Sequence, residues 1–499
     1  MASTTTNSPP TKTGLARQIS LLGLTATGIC SMIGASVYVV PFMIQRNVPG
    51  IGPYVLPAFL FAAVPALLAA FAYAILASAM PRAGGSYVYA SRGLHPYLGF
   101  VASFSQWFGL SIAIGVVSYV IIPFLRDIAM ALEFNTLAAT LEDRMVRLFA
   151  SLVILWTFVG VNIRGIKLYE LTLIPLMILM FALGAVVIVF GYSTGPGAFA
   201  EALSTKGMTL PRGSSEFNPY IFLSASAVLF SSFIGFDSIA QAGGEAKNPG
   251  RNLPLAIALA VVIVGAFYFL FAGAVYHAVP WAYIAQEAMK SDVTASGLMS
   301  VLLSPGWSVA IVAGAAVALT NDLPAMLLSV SRLMFAWAED GIFPRQVTRV
   351  HPSFHTPHVA LILSGIMASL GILGSHFAGD FFLGIDILVT SMLVNFLFMC
   401  LAVITLPKRN PSLAAQVTVL RNRTHQRILS GLGIVMLSGF LVIHISKDLS
   451  ADIDDWYYHS TPIWIIVMLI GSALYQRERK KLAAAGVDQK KLFSTLPPE

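Results

Sequence analysis

Apolar residues run in long blocks along this chain, separated by short polar punctuation. Blocks lie near 20–44, 51–77, 97–125, 146–162, 169–192, 219–241, 253–278, 305–337, 357–375, 381–406, 428–446 and 461–475. A membrane-spanning helix needs about 20 consecutive apolar residues. The pattern therefore predicts an all-α membrane protein with twelve transmembrane helices. The longest polar stretches are the linker near Gly195–Pro219, the loop Pro407–Arg427 and the tail after Gln476.

Two of the blocks carry a weak point at the depth where a spanning helix should be most regular. The first contains Met32–Pro41, with Gly34, Ala35 and Ser36 in a row. The sixth contains Phe230 to Ser238, with Ser231, Ser232, Gly235 and Asp237. Non-helical backbone at membrane depth is tolerated only where it is buried in protein or lines a water-filled cavity. Each segment taken alone also fits a small-residue face for helix packing. Together they say more, because spans one and six correspond if five helices are repeated in inverted order. Interrupted segments at matching positions of two halves are the best sequence pointer to a transporter site. The expected organisation is a disordered N-terminus (1–18), a first repeat (19–192), a second repeat (193–406), two further helices (407–476) and a tail (477–499).

Composition agrees with a membrane class. The chain is 57% hydrophobic and 11% charged, with a mean hydropathy of +0.78. The net charge of +7 would suit nucleic acid or anionic lipid if it were clustered. With the N-terminus placed in the cytoplasm, 22 Lys and Arg fall on the cytoplasmic side and 8 on the other. That bias is the positive-inside rule with both termini cytoplasmic, so the basic excess reads as topology in a cell membrane. Nucleic acid is not an expected partner. Cys30 and Cys400 both sit in apolar blocks and carry no disulfide or metal spacing.

Two acids stand in the apolar blocks. Asp237 at a helix centre costs roughly 2.5–3.5 kcal/mol on insertion scales, so a cation, a proton or free backbone N–H groups must compensate. It can equally cap the second half of a broken sixth helix. Asp322 lies in Thr320-Asn321-Asp322-Leu323-Pro324, where Pro324 frees a carbonyl one turn earlier. Thr320, Asn321 and Asp322 are candidate ligands for a coupling proton or sodium ion, or for a substrate amine; a cap around a proline kink is the plainer alternative. His351, His355 and His358 are interrupted by Pro352 and Pro357 and read as a turn rather than a metal site. No phosphate-binding loop, nucleophile elbow or zinc-protease motif is present, so neither ATP-driven transport nor hydrolysis is indicated. No cofactor or structural metal is expected.

Several segments resemble one family. Pro81-Arg82-Ala83-Gly84-Gly85-Ser86-Tyr87-Val88-Tyr89, followed by Gly99-Phe100 and Trp107, resembles the second-to-third-helix signature of the amino acid–polyamine–organocation (APC) transporters. Phe233 to Asp237 followed by Glu245 to Pro254 resembles that family's sixth helix and following loop. Ser331-Arg332-Leu333, Glu339 to Pro344 and His351 to Pro357 resemble its loop after helix eight. The resemblance implies a LeuT-like five-plus-five inverted repeat with discontinuous helices 1 and 6. It also implies secondary transport of amino acids or amines by symport or antiport, as a monomer or homodimer in the bilayer.

On that resemblance the substrate would lie against Ile33, Gly34, Ala35 and Ser36 of helix one, Gln106 and Leu110 of helix three, and Ser231, Phe233, Gly235, Phe236 and Asp237 of helix six. The family's Gly-Ser-Gly break, whose amides hold a substrate carboxylate, is replaced here by Gly34-Ala35-Ser36. The aromatic lid is replaced by Ser231. The helix-five Lys that some members use in place of sodium falls near Met180, and no Lys occurs between Tyr169 and Tyr192. Asp322 stands where small polar residues are usual. These departures leave carboxylate binding at the break open, and they leave room for a ligand other than a standard amino acid. The alternatives are an antiporter for polyamines or another amine, and a channel or sensor on the same scaffold.

Overall fold

A computed structural model describes residues 15, 17–195, 197–211, 213, 216–291, 293–303, 305–378, 381–451 and 456–497. Residues 1–14 and most of the acidic loop at 452–455 lie outside them, as do the side chains of Ala35 and Ser36. The described chain is helical, with two isolated bridges, Ile19 to Ala246 and Ala83 to Ala242, and no named strand.

In chain order the elements that matter here are α1 (Leu21–Met32), α2 (Ala35–Tyr38), α3 (Val40–Asn47), α4 (Val55–Ala79), α5 (Gly85–Gly93), α6 (Pro96–Ala131), α7 (Arg144–Ile163) and α8 (Ile166–Ser193). They continue with α9 (Pro219–Leu229), α10 (Asp237–Gln241), α11 (Pro249–Ala278), α12 (Pro305–Glu339), α13 (His358–Ala378), α14 (Phe381–Arg409), α15 (Arg423–Leu449) and α16 (Ser460–Ala484). Among the described residues nine helices are long and apolar enough to cross a membrane. The remaining three expected spans correspond to α1 to α3, α9 to α10, and α16. The first two are interrupted, and the C-terminal half of α16 carries the charged run Arg477 to Lys481.

Caps fix where the helices begin. Asp143 Oδ1 accepts from the amides of Met145 and Val146 at the start of α7. Asn218 Oδ1 does the same for Tyr220 and Ile221 of α9. Each satisfies N–H groups that a first turn leaves free. The long α6 is the central post, packed against α12, α13 and α14, while α1 packs on α8, α11 and α12. Outward faces are apolar, with Val153, Leu171, Val189, Val262 and Val435 all largely exposed. In a bundle of this composition such faces are solvated by lipid tails.

The end of the bundle that carries the N-terminus is closed by charge. Arg332 of α12 binds Glu245 through two bonds of 2.6 and 2.8 Å. Arg92 of α5 binds Asp340 through two of 2.5 and 2.8 Å. All four side chains are buried. The Glu245 carbonyl also accepts the amides of Gln18 and Ile19 at 2.8 Å, so the segment before α1 is stitched to the same loop.

Candidate functional site

The first helix stops because its ladder stops. The amide of Ile33 still reaches the Ile29 carbonyl at 2.9 Å. After Gly34 the chain makes the single turn α2, breaks again at Val39 (φ −127°, ψ −56°) and resumes as α3 with Pro41 in its first turn. Carbonyls freed by the break find donors on α11. Tyr268 donates its hydroxyl to the Met32 carbonyl, and Tyr276 donates to that of Pro41 at 2.7 Å. This is how a broken helix survives without water.

The second break faces the first. Helix α9 tightens into a 3-10 turn over Phe230–Phe233, then Ile234 is extended and Gly235 has φ +136°. That conformation belongs to glycine, and space demands it too. A Cβ at Gly235 would run into the Ser31 carbonyl of α1. The Ser31 and Ser238 hydroxyls share a hydrogen bond of 2.9 Å. The two interrupted segments therefore touch backbone to backbone.

Beside this contact lies a cavity of about 70 Å³, lined by Ser31, Met32, Gly34, Leu110, Ser231 and Asp322 among otherwise apolar residues. A cavity of about 150 Å³ is what holds a molecule of benzene, so this one is about half the size that such a solute needs. An amino-acid-sized solute enters only if the surrounding elements part. Asp322 is 6% exposed, and its Oδ1 is buried without a partner. Its carboxylate lies so close to Gly34 that a Cβ there would overlap it. Among the described residues that line the cavity there is no Lys or Arg.

The expected site residues divide accordingly. Gly34, Leu110, Ser231 and Asp322 line the cavity, and Ile33 is buried beside it. Gln106 and Asp237 are turned to each other. Gln106 Nε2 donates to Asp237 Oδ2, and the Gly235 amide donates to Asp237 Oδ1 at 3.1 Å. Asp237 thus braces the break and does not line the cavity. Phe233 packs on Phe59 and Tyr268, and Phe236 stacks on Phe396.

The three-residue cation site is not assembled. The Thr320 hydroxyl donates to its own helix at Ala316. Asn321 donates to Cys30 Sγ at 2.9 Å and to the Leu173 carbonyl at 3.3 Å. Successive helical residues point about 100° apart, from 3.6 residues per turn, so only Asp322 reaches the cavity. His351, His355 and His358 lie in or beside a turn closed by the His351 amide on the Thr356 carbonyl at 2.8 Å.

A family model for amino acid permeases matches residues 19–470. The chain belongs to the amino acid permease family. It is 26% identical over 494 residues to the methylthioribose transporter of Bacillus subtilis (strain 168), covering 94% of this chain and 95% of that one. It is also 26% identical over 485 residues to the branched-chain amino acid permease BcaP of the same strain, with the same coverage. The low-affinity putrescine importer PlaP of Escherichia coli (strain K12) is 25% identical, over 63% of this chain and 64% of its own. These relatives are transporters, and this permease-family chain is a multi-pass membrane transporter rather than an enzyme.

In this permease, Asp237 is held by a network that the sequence reading missed. Gln241 Nε2 donates to the Ser86 hydroxyl at 2.6 Å and to the Asp237 carbonyl at 3.2 Å. Tyr73 and Ser86 share a hydroxyl bond of 2.6 Å, and Asn395 donates to Tyr73 at 2.6 Å. Gln241 had a signal, since it stands four residues after Asp237 on one helical face. Tyr73 and Asn395 had none, because their partners are distant in sequence.

Proposed function

We propose that this chain is a secondary active transporter that moves amino acids or related amines by alternating access. The proposed scaffold has twelve spans in a five-plus-five inverted repeat, with both termini cytoplasmic, in the cell membrane. The observation that supports it best is the meeting of two interrupted helices at Gly235 and Ser31, beside a buried cavity that carries one unpaired acid. Broken helices of this kind supply free backbone groups to a solute near the membrane midplane. Relatives named for a branched-chain amino acid, putrescine and methylthioribose leave room for a range of small solutes.

The cavity is too small for an amino acid as it stands, and the end of the bundle that carries the N-terminus is sealed by Arg332–Glu245 and Arg92–Asp340. Alternating access then requires that seal to open as the opposite side closes. One inward proton or sodium ion gains about 2.3 kcal/mol per 100 mV, enough to concentrate a neutral solute manyfold.

The test is uptake into proteoliposomes under an imposed pH or sodium gradient. Accumulation above equilibrium, abolished by collapsing one gradient, supports the proposal and identifies the ion. Equilibration alone, with no accumulation under either gradient, supports a channel instead.

A further inference from the structure

We infer that the cavity takes an organic amine that lacks a carboxylate, with its ammonium group on Asp322. The inference rests on the transport reading and narrows its substrate class. Three observations carry it. Asp322 is nine-tenths buried and lines the cavity, with Oδ1 unpartnered. A buried carboxylate without a partner is costly unless something joins it. Among the described residues no protein cation does so: no Lys or Arg is among those that line the cavity, and none of the ion pairs includes Asp322.

The second observation concerns where an amino acid's carboxylate would go. The break at Gly34 is the place for it by analogy with other broken first helices. Here the flank of Gly34 is already occupied by the protein's own carboxylate, close enough to overlap a Cβ at that position. Two carboxylates brought together in a cavity with little water repel strongly. The other acid of the region gives no relief, since Asp237 is itself an acid, bound to Gln106 and Gly235.

The third is the remaining lining. The lining joins the apolar Leu110, Ala113, Val117, Met326 and Ile385 to Ser31, Gly34, Ser231 and Asp322. A solute that fits has one cationic end and an apolar body. An ammonium donates up to three hydrogen bonds, and Asp322 Oδ1 and the Ser231 hydroxyl, both without partners, are available to accept them.

The experiment compares three compounds that share a 3-methylbutyl group on the purified full chain: 3-methylbutylamine, 3-methylbutanol and leucine, which is the amine with a carboxylate added. Binding is read by thermal shift and by competition against whichever solute the proteoliposomes accumulate. The amine is expected to bind at least about tenfold more tightly than either the alcohol or leucine, a factor equivalent to 1.4 kcal/mol. Asp322→Asn is expected to erase the advantage of amine over alcohol, and Asp322→Glu to keep part of it; the second variant also serves if the first fails to fold. Leucine binding as tightly as the amine overturns the inference. So does failure of all three while another solute is accumulated, and the transport reading then stands. If no solute is accumulated and none binds, both fall.

Discussion

Among the described residues, four buried acids lie at the helix breaks and at the end that carries the N-terminus, and their surroundings differ in kind. At the basic end, Glu245 and Asp340 each meet an arginine through two hydrogen bonds. At the helix breaks, Asp237 and Asp322 meet no cation among the described residues. Asp237 is compensated by the Gly235 amide and the Gln106 side chain, while Asp322 Oδ1 is left with nothing. The difference separates acids that hold the bundle together from one that, on the proposed reading, receives a ligand. A carboxylate paired bidentately with arginine fixes a geometry. A carboxylate left open beside a cavity raises the energy of the empty state and lowers it again only when a ligand arrives.

The comparison breaks first at the paired end. Glu245→Gln leaves Arg332 buried without a counter-charge, and losing one partner of a buried pair costs about 3–5 kcal/mol. Thermal unfolding should show a large drop. Cysteines placed beneath α1 should become more reactive from the side that carries the N-terminus, because the Arg332–Glu245 lock no longer holds α12 to the loop. The double variant Glu245→Leu with Arg332→Met should recover much of the stability, since apolar replacement of a buried pair is often neutral. A single variant as stable as the parent would mean that this pair does not seal the end.

At the breaks the same logic predicts a smaller loss through Gln106. Gln106→Leu removes the donor to Asp237 Oδ2 and leaves a buried acceptor unsatisfied, a cost of about 1–3 kcal/mol. The loss should appear as reduced thermal stability with the conformation of α10 disturbed. Asp237→Asn in the Gln106→Leu background should restore part of it. An additive double variant would show that the two side chains are not coupled.

How much of this was legible in sequence follows the range of the interactions involved. Gly34 to Ser36 and Phe230 to Ser238 announced themselves because a glycine- and serine-rich segment interrupts an apolar block, a signal local to one helix. The burial of Asp322 was legible for the same reason. Where Thr320 and Asn321 point is not legible in that way, since neighbours in sequence are not neighbours in space. Helical geometry sends Asn321 to Cys30 and Leu173, and Thr320 back to Ala316. The role of Asp237 turned on Gln106, 131 residues away, and on Gly235. The ion pairs at the basic end join residues 87 and 248 positions apart, so only the fold could match each arginine to its acid.

Gly34→Ala sharpens the contrast from the backbone side. The added Cβ would overlap the Asp322 carboxylate, so either the carboxylate swings away or the break shifts. Overpacking of this kind costs about 1–3 kcal/mol, and a flexible carboxylate keeps the effect near the lower bound. Stability should fall modestly while ligand-induced thermal shifts vanish. The pair Gly34→Ala with Asp322→Ser separates the causes. Stability should return, because the overlap is gone, and binding should not, because the acid is gone.

The smallest effect has the opposite sign. If Asp322 is held open for a ligand, removing its charge should stabilise the empty protein while abolishing use of the site. Asp322→Asn keeps the shape and relieves the burial of an unpaired charge, but leaves an amide that is also incompletely bonded. The net gain in the ligand-free state should therefore be only about 1 kcal/mol, within the range that unsatisfied buried groups command. A rise in melting temperature without ligand, together with loss of uptake, would mark Asp322 as a position where stability has been traded for function. A fall would place Asp322 with Glu245 and Asp340, as an acid that holds the bundle together.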